Sequence, residues 1–319
     1  MIKNIGNTPM IKIQYKYKDK INFIYTKLEY YNLTGSIKDR VAYYIIKNAK
    51  ERGELKENMP IVEATSGNTG IALAALGAYY KHPVYIFMPD WVSAERVKIM
   101  ESYNAKVTLI SRKQGGFKKC KLESKKLAKQ LNGFLANQFS NVDNILAHYE
   151  TTAQEIVNQL PEEIGGFVSG VGTGGTLMGI GKKLKKMNKD VLITAIEPDK
   201  MPMISRNRII SNHKIEGIGD DFVPDLINKT LIDKVYLIND DDAINMSRKI
   251  SRELGIGVGI SSGANFLGCA LLQENVRKPV VTVFADDNKK YLSTDLSKGV
   301  DLNEKFISNQ IELIDYQVI

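Results

Sequence analysis

Residues 59 to 89 have the sequence MPIVEATSGNTGIALAALGAYYKHPVYIFMP. The apolar stretch MPIVEAT predicts a buried strand, the Gly-rich SGNTG a turn, IALAALGAYY a helix of small residues, and HPVYIFMP a second strand. Two strands joined through a helix form a parallel βαβ unit with a right-handed crossover. This stretch therefore predicts an α/β fold.

The same alternation continues along the chain. Residue 89 is followed by the helix SAERVKIMESY, the strand AKVTLIS and the helix KKCKLESKKLAKQL. The second half contains the helix TTAQEIVNQL, the strand GGFVSGVG, the helix TLMGIGKKLKKM and the strand DVLITAIEP. Between them, Asn, Gln and Ser cluster in LANQFSNVDNILAHYE, which predicts a boundary near residue 145. We expect two domains, 1–145 and 146–319, each with a mostly parallel twisted sheet flanked by helices.

The composition is typical of a globular protein, with 43% hydrophobic and 25% charged residues among 319. No apolar run approaches the roughly 20 residues of a membrane helix, and MIKNIGNTPM lacks the apolar core of a signal peptide. We expect a cytoplasmic protein that has no membrane partner. The net charge of +8 is spread along the chain, and its densest cluster, KKLKK, falls on the polar side of a predicted helix. We therefore expect no nucleic-acid partner.

Two cysteines and three histidines provide too few soft ligands for a predicted metal site. The chemistry is instead indicated by Gly-rich turns between strands and helices. In GVGTGGT, residues 170 to 176, glycines allow backbone N–H groups to approach an anion, and Thr173 and Thr176 add hydroxyl donors. Tight packing is the alternative explanation of these glycines. The turn lacks the Lys-Ser/Thr ending of a nucleoside-triphosphate loop, so it predicts a different phosphate ligand.

A second turn, ATSGNTG at residues 64 to 70, has the same position in the first half. Its hydroxyl, amide and backbone donors at a helix N-terminus suit a carboxylate, although the same residues are also good helix caps. Further upstream, NLTGSIKDR places Lys38 at the start of a predicted helix, where the helix dipole disfavours a cation and lowers the lysine pKa. A solvated lysine offset by Asp39 is the alternative. A phosphorylated cofactor, an α-carboxylate and a Schiff base require these three features together.

In these motifs the chain resembles the cysteine synthase and cystathionine β-synthase family of pyridoxal-phosphate enzymes, which have fold type II. The resemblance extends through nearly the whole chain, in the order IGNTPMIKI, KLEYYNLTGSIKDR, EATSGNTGIALA, MPDWVSAERVKIMESYNAKV, NQFSNVDNILAHYETTAQEI, GVGTGGT, EGIGDDFVP, GISSGAN and DDNKKYLST. It implies a two-domain fold type II enzyme with pyridoxal 5'-phosphate as cofactor. It also implies a mobile substrate-binding lobe at about 40–145, first residues that pack on the other lobe, and a homodimer.

The resemblance assigns roles residue by residue. Lys38 matches the Schiff-base lysine, which also moves the α-proton, and Asn68 matches the residue that bonds the cofactor ring oxygen. The substrate carboxylate is assigned to Thr65, Ser66, Gly67, Thr69 and Gln138. The cofactor phosphate is assigned to Gly172, Thr173, Gly174, Gly175 and Thr176. Ser261 matches the serine that faces the pyridine nitrogen, where a neutral hydrogen bond suits loss of a β-substituent.

The chain departs from the family pattern in three places. Asn32-Leu33-Thr34 replaces the usual Asn-Pro-Ser/Gly before the lysine, and the segment after Gln138-Phe139 lacks the prolines common in O-acetylserine enzymes. In EGIGDDF, Asp220 and Asp221 stand where many O-acetylserine enzymes have small residues. A carboxylate there could activate water or a thiol as a catalytic base, or bind a second amino group. A surface turn with two solvated acids is the alternative.

The resemblance implies β-replacement on an L-amino acid through an α-aminoacrylate intermediate. The two aspartates favour L-cysteine or L-serine as donor, with release of hydrogen sulfide from cysteine and formation of serine, lanthionine or a related thioether. The alternatives are a cysteine synthase that uses O-acetylserine or O-phosphoserine, and a serine/threonine dehydratase, although Thr69 follows Asn68 where dehydratases usually have His. A non-catalytic binding protein is a further alternative, against which intact Lys38 and Ser261 argue.

Overall fold

A computed structural model of the chain describes residues 2–299 and 303–319. The strands in this part of the chain are β1 (Met10–Tyr17), β2 (Lys20–Leu28), β3 (Ile61–Ala64), β4 (Val84–Pro89), β5 (Lys106–Ile110), β6 (Phe134–Leu135), β7 (Gly166–Gly170), β8 (Leu192–Pro198), β9 (Lys234–Ile238), β10 (Val280–Phe284) and β11 (Ile311–Val318). They form a seven-stranded sheet of order β11-β1-β2-β10-β7-β8-β9 and a four-stranded sheet of order β5-β4-β3-β6.

The helices flank these sheets. They are α1 (Lys38–Glu51), α2 (Asn68–Tyr80), α3 (Ala94–Ser102), α4 (Gly116–Gln130), α5 (Asp143–Ala147), α6 (Ala153–Gln159), α7 (Gly175–Met187), α8 (Met203–Arg206), α9 (Asp240–Leu254), α10 (Ile260–Gln273) and α11 (Ile307–Gln310). A π-helical turn, His148–Thr152, joins α5 to α6, although the sequence predicted a regular helix over TTAQEIVNQL. None of the helices in the described ranges is both long and apolar enough to cross a membrane.

All pairs within the four-stranded sheet are parallel, and so are the pairs that join β2, β10, β7, β8 and β9. Among the strands of the described residues, β1 alone pairs antiparallel with its neighbours, β2 and β11. Helix α2 is buried from Thr69 to Gly77, which explains its run of small residues, because bulkier side chains would not fit against the sheet. The α/β architecture with mostly parallel sheets is thus confirmed.

The carboxyl ends of three parallel strands determine where the site lies. Strand β3 leads into the turn at residues 65–67, β7 into the turn at 171–174, and β10 into residues 285–287. The backbone N–H of Ile37 donates to the carbonyl of Ala285 at 2.9 Å, which ties the start of α1 to the end of β10. Loops at the carboxyl ends of parallel strands are the usual position of ligand sites in α/β proteins.

Candidate active site

Lys38 is the first residue of α1, as the sequence predicted. It lies half-buried at a cavity, and the loss of water around it lowers its pKa to about 8, while the negative charges of Asp286 and Asp220 act in the opposite direction. The predicted direction of this shift is therefore confirmed, but its largest cause is burial rather than the helix dipole. An amine of this pKa is a competent base and nucleophile near neutral pH.

Asp39 does not neutralise Lys38. Its carboxylate accepts hydrogen bonds from the backbone N–H and the hydroxyl of Thr34, at 3.0 and 2.7 Å, and from the backbone N–H of Ser36 at 3.3 Å. Both carboxylate oxygens are thus used to hold the loop that precedes α1. The alternative of a solvated lysine offset by its neighbour does not describe this environment.

The cavity around Lys38, which we call the inner cavity, has a volume of about 90 Å³. It brings together twelve of the residues singled out from the sequence: Lys38, Thr65, Ser66, Asn68, Thr69, Gln138, Gly172, Thr173, Gly174, Thr176, Asp220 and Ser261. Gly67 and Gly175 belong to its turns without lining it. Asp221 instead lines an adjoining cavity of about 730 Å³, which we call the outer cavity.

The predicted phosphate turn is shaped by close approaches of other groups. A Cβ on Gly172 would lie 2.4 Å from the carbonyl oxygen of Gly217, and a Cβ on Gly175 would lie 1.9 Å from Oδ1 of Asn144. Gly174 has a φ of 88°, in the left-handed region, and precedes the first residue of α7. The turn therefore requires glycine for space and conformation, and it places the unpaired N–H groups of a helix start at the cavity.

Two side chains missed by the sequence analysis hold the threonines of this turn. Asn144 donates to the hydroxyl of Thr173 at 2.9 Å, and Nε2 of the buried His148 lies 3.2 Å from the hydroxyl of Thr176. Burial lowers the pKa of His148 well below its usual value, with the charges of Lys38 and Arg40 acting in the same direction. His148 is therefore neutral. His148 lies in a π-helical turn, which is a feature of the folded backbone that the sequence pattern did not predict.

The ATSGNTG turn lies at the N-terminus of α2, and a network beneath it holds its side chains. The hydroxyl of Thr69 donates to Oε1 of Gln138 at 2.5 Å, and Nε2 of Gln138 donates to the carbonyl of Ala64 at 3.0 Å. Glu63 accepts the backbone N–H groups of Gln138 and Ala64, at 3.0 and 2.7 Å. Burial raises the pKa of Glu63 to about 7. This network fixes the donors that the sequence predicted for a substrate carboxylate.

Asn68 connects this turn to the segment after β10. Its Nδ2 donates to Oδ2 of Asp286 at 2.7 Å, and its Oδ1 accepts from Nζ of Lys290 at 3.1 Å. The hydroxyl of Tyr291 also donates to Oδ2 of Asp286, at 2.7 Å, whereas Oδ1 of Asp286 is buried and has no hydrogen-bond partner among the residues that the structure describes. The sequence analysis included this segment in the motif DDNKKYLST, but the motif did not predict that its residues form hydrogen bonds with the side-chain amide of Asn68.

Asp220 lines both the inner and the outer cavity, whereas Asp221 lines only the outer of the two. Burial raises the pKa of Asp220 to about 7, the negative charge of Asp221 raises it further, and Lys121 and Lys38 oppose the shift. Asp221 is exposed in the outer cavity. The alternative of a surface turn with two solvated acids therefore describes Asp221 but not Asp220.

These groups fit pyridoxal phosphate. The glycine turn at the start of α7 leaves space and N–H donors for a phosphate, and Lys38 provides an amine of lowered pKa. Ser261, buried at the start of α10, lines the same cavity as Lys38 and Asn68. Lys38, Asn68, the 172–176 turn and Ser261 would hold the cofactor.

Comparison with known proteins agrees with this fit. Residues 1–286 match the family model described as pyridoxal-phosphate dependent enzyme. The chain belongs to this family. Cysteine synthase B of Campylobacter jejuni is 39% identical to it over 92% of this chain and 96% of the relative. The chain is thus a pyridoxal-phosphate-dependent enzyme related to cysteine synthases, and the predicted cofactor is confirmed.

Solved structures extend the comparison. The hydrogen sulfide-producing enzyme of Fusobacterium nucleatum is 48% identical, with a TM-score of 0.95 over 99% of this chain and 96% of the other. An aspartate-to-asparagine variant of that hydrogen sulfide-producing enzyme, in complex with the α-aminoacrylate intermediate, has a TM-score of 0.96 at 48% identity over 99% and 97% of the two chains. O-acetylserine sulfhydrylase isoform 3 of Entamoeba histolytica is 38% identical, with a TM-score of 0.86 over 97% and 93%.

Proposed function

We propose that the protein consumes L-cysteine, or L-serine, in a β-replacement that releases hydrogen sulfide from cysteine and forms serine, lanthionine or a related thioether. The observation that supports this most directly is the position of Asp220, a carboxylate with a pKa of about 7 in the same cavity as Lys38. A carboxylate of that pKa accepts a proton from water or a thiol near neutral pH. A small uncharged side chain at this position would not accept this proton.

Each group of residues in the inner cavity has its own role in the reaction. Pyridoxal phosphate, when bound, supplies the electron sink that stabilises negative charge at the substrate α-carbon. The 65–69 turn and Gln138 hold the substrate carboxylate, which orients the α-hydrogen towards Lys38. Lys38 takes the α-proton and later returns it, and its lowered pKa suits both directions. Ser261 offers the pyridine nitrogen a neutral partner.

Asp220 acts in the second half of the reaction. After the β-substituent has left, an incoming water or thiol loses a proton to Asp220 and forms a bond to the β-carbon. Asp221 contributes through its charge, which keeps the pKa of Asp220 high. The sulfide-producing relative supports a role for an aspartate after the β-substituent has left, because its variant with one aspartate replaced by asparagine was captured with the α-aminoacrylate intermediate.

A matched pair of variants tests the proposal. The purified protein with bound pyridoxal phosphate, which is yellow, is incubated with one of three additions: L-cysteine, L-serine, or O-acetylserine together with sulfide. Absorbance, sulfide release and product mass are followed in each case. We expect sulfide and serine, lanthionine or another thioether from L-cysteine, and we expect Asp220→Asn to slow product release by about 10²-fold or more while the first spectral change remains. Asp221→Asn is the control, with a much smaller loss. No sulfide from cysteine, or equal rates for Asp220→Asn and wild type, would contradict the proposal.

The second candidate is a cysteine synthase that uses O-acetylserine or O-phosphoserine with sulfide. The 39% identity to cysteine synthase B and the resemblance to the sulfhydrylase of Entamoeba histolytica support it. A spectral change and product with O-acetylserine or O-phosphoserine, but none with cysteine or serine, would establish it and leave Asp220 without the proposed role.

We also propose a homodimer. Strand β11 forms an edge of the seven-stranded sheet within the described residues, and the side chains of Ile314, Tyr316 and Val318 on it are exposed. An exposed apolar edge strand is a surface that proteins usually cover. Light scattering is expected to give twice the mass of the chain, and a monomer at micromolar concentration would contradict this proposal.

A further inference from the structure

Arg96 of α3 is a buried cation that the proposed reaction does not use. Its side chain is 1% exposed and lines the inner cavity beside the substrate turn. Nη1 donates to the carbonyl of Ser66 at 3.0 Å, and the guanidinium lies over the ring of Tyr291, 4.8 Å from its centroid. A Cβ on Gly67 would lie 2.4 Å from Cδ of Arg96. The side chain is therefore held on three sides.

Glu216 closes the remaining side. Its Oε2 lies 2.7 Å from Nη1 of Arg96, and this ion pair joins the helices of the four-stranded sheet to the loop that contains Asp220. That loop is fixed, because the N–H of Gly219 donates to the carbonyl of Val171 at 2.9 Å. Nε and Nη2 of Arg96 are buried with no hydrogen-bond partner in the described residues, so the pair is not a fully satisfied structural ion pair.

Glu216 stands where the two cavities meet, and Arg96 lines the inner cavity beside it. Both cavities are lined by Ser66, Glu216, Gly217, Ile218 and Asp220. The cofactor and donor would fill the inner cavity, so an acceptor must enter from the outer cavity. That outer volume, about 730 Å³, is far above the roughly 30 Å³ of one liquid water. Large molecules can therefore reach the boundary, and what crosses it depends on the side chains there.

We propose that the Arg96–Glu216 pair is a size-selective gate between the two cavities, which admits water or sulfide to the β-carbon and excludes a second amino acid. This inference rests on the proposed β-replacement and names its acceptor. With L-cysteine as donor, sulfide leaves the β-carbon and the oxygen of water bonds to the same carbon. L-cysteine and water therefore give L-serine and hydrogen sulfide. Atoms balance without an oxidant or reductant.

The gate is tested by acceptor competition with β-chloro-L-alanine as donor, since chloride leaves whatever the natural leaving group is. Methanethiol is the small acceptor. L-homocysteine is the amino-acid acceptor, because its thiol is not on the β-carbon. The ratio of S-methylcysteine to cystathionine is measured by mass spectrometry. We expect Glu216→Ala to lower this ratio by about tenfold or more, the scale on which pocket size discriminates ligands. An unchanged ratio would overturn the gate.

Two controls separate the gate from general damage. Glu216→Gln keeps the side-chain volume, and we expect its ratio to stay within about twofold of the wild type; a fall as large as that of Glu216→Ala would contradict a gate based on size. Lys214→Ala changes a residue that lines the outer cavity alone, and its ratio should not change. If Glu216→Ala does not retain its yellow colour, Arg96→Lys provides the same test with the same expected fall.

The outcome for the gate is independent of the outcome for the donor. Sulfide release from L-cysteine by the wild-type enzyme tests the proposed function, and the competition experiment uses no cysteine as donor. A failed gate with sulfide release leaves the proposed function intact. A lowered ratio in Glu216→Ala without sulfide release from cysteine supports the gate and removes cysteine as the donor.

Discussion

Lys38 and Arg40 lie two residues apart in the first turn of α1, and the protein surrounds their charges in opposite ways. Arg40 is 1% exposed and is fully paired: Nε lies 2.7 Å from the buried Glu29, and Nη1 lies 2.6 Å from Glu155. Lys27, also buried, donates to Glu155 at 2.8 Å. Two cations and two carboxylates thus satisfy one another beneath the helix.

The inner cavity shows the reverse arrangement. Lys38 has no ion pair among the described residues, and its pKa is lowered to about 8, while the pKa of Asp220 is raised to about 7. In the network under α1, the charge of Arg40 holds the pKa of Glu29 low and that of Glu155 at about 2. Lys27 differs from these carboxylates, since burial lowers its pKa despite its partners.

Burial acts on a charged side chain in two ways, depending on whether a partner of opposite charge is present. A buried charge that has a partner stays charged and connects elements, whereas a buried group without one moves towards its neutral form. Only the second kind can take up and release a proton near neutral pH. The two kinds of charge occupy opposite sides of one helix turn, so the paired set can position the unpaired lysine.

The largest expected effect comes from removing the unpaired amine. We expect Lys38→Ala to lower kcat by about 10³-fold or more, since positioned proton transfer alone contributes about 10²–10⁴. The free energy of unfolding should change little, because Lys38 has no ion pair to lose within the part of the chain that the structure describes. Steady-state kinetics and urea unfolding measure the two quantities, with Lys47→Ala on the exposed side of α1 as control. Retention of a tenth of the wild-type rate would remove Lys38 from catalysis.

The paired cation should show the opposite pattern. We expect Arg40→Met to lower the free energy of unfolding by about 3–5 kcal/mol, because it leaves Glu29 and Glu155 buried with one cation between them. Urea unfolding followed by circular dichroism measures the loss, and Lys47→Met is the matched control on the same helix. A loss no larger than that of the control would show that the network is not required, and would break the contrast between the two cations.

The smallest expected effect comes from removing the charge of Asp221 beside Asp220. Asp220 acts as a base only when deprotonated and only in the second half of the reaction, so kcat should fall as the pH drops through about 7. The charge of Asp221 raises the pKa of Asp220. Asp221→Asn should therefore shift the fall in rate on the acidic side of the pH profile to lower pH. At pH 8 its rate should stay within about twofold of the wild type, as expected for an exposed charge. If the acidic side of the pH profile is the same in Asp221→Asn and wild type, Asp221 has no influence on the pKa of Asp220.

Much of the fold was predictable, because the βαβ alternation and the Gly-rich turns are local patterns. The strand before ATSGNTG and the helix after it lie where the sequence placed them. The antiparallel pairing of β1 with β11 was not predictable, since it joins segments about 300 residues apart and depends on neither segment alone. The domain boundary near residue 145 and the roles of the individual site residues remain predictions.

The cofactor class and most of the residues around Lys38 follow from the sequence, because glycines, a lysine and hydroxyls at strand-to-helix turns have few other uses in combination. Only the tertiary structure separated Asp220 from Asp221, since two adjacent acids have the same chemistry until one is buried. It also brought together Arg96 and Glu216, and Asn68 and Asp286, each pair from distant segments. Burial and long-range proximity set pKa values and access to the site, and both arise only when the chain is folded.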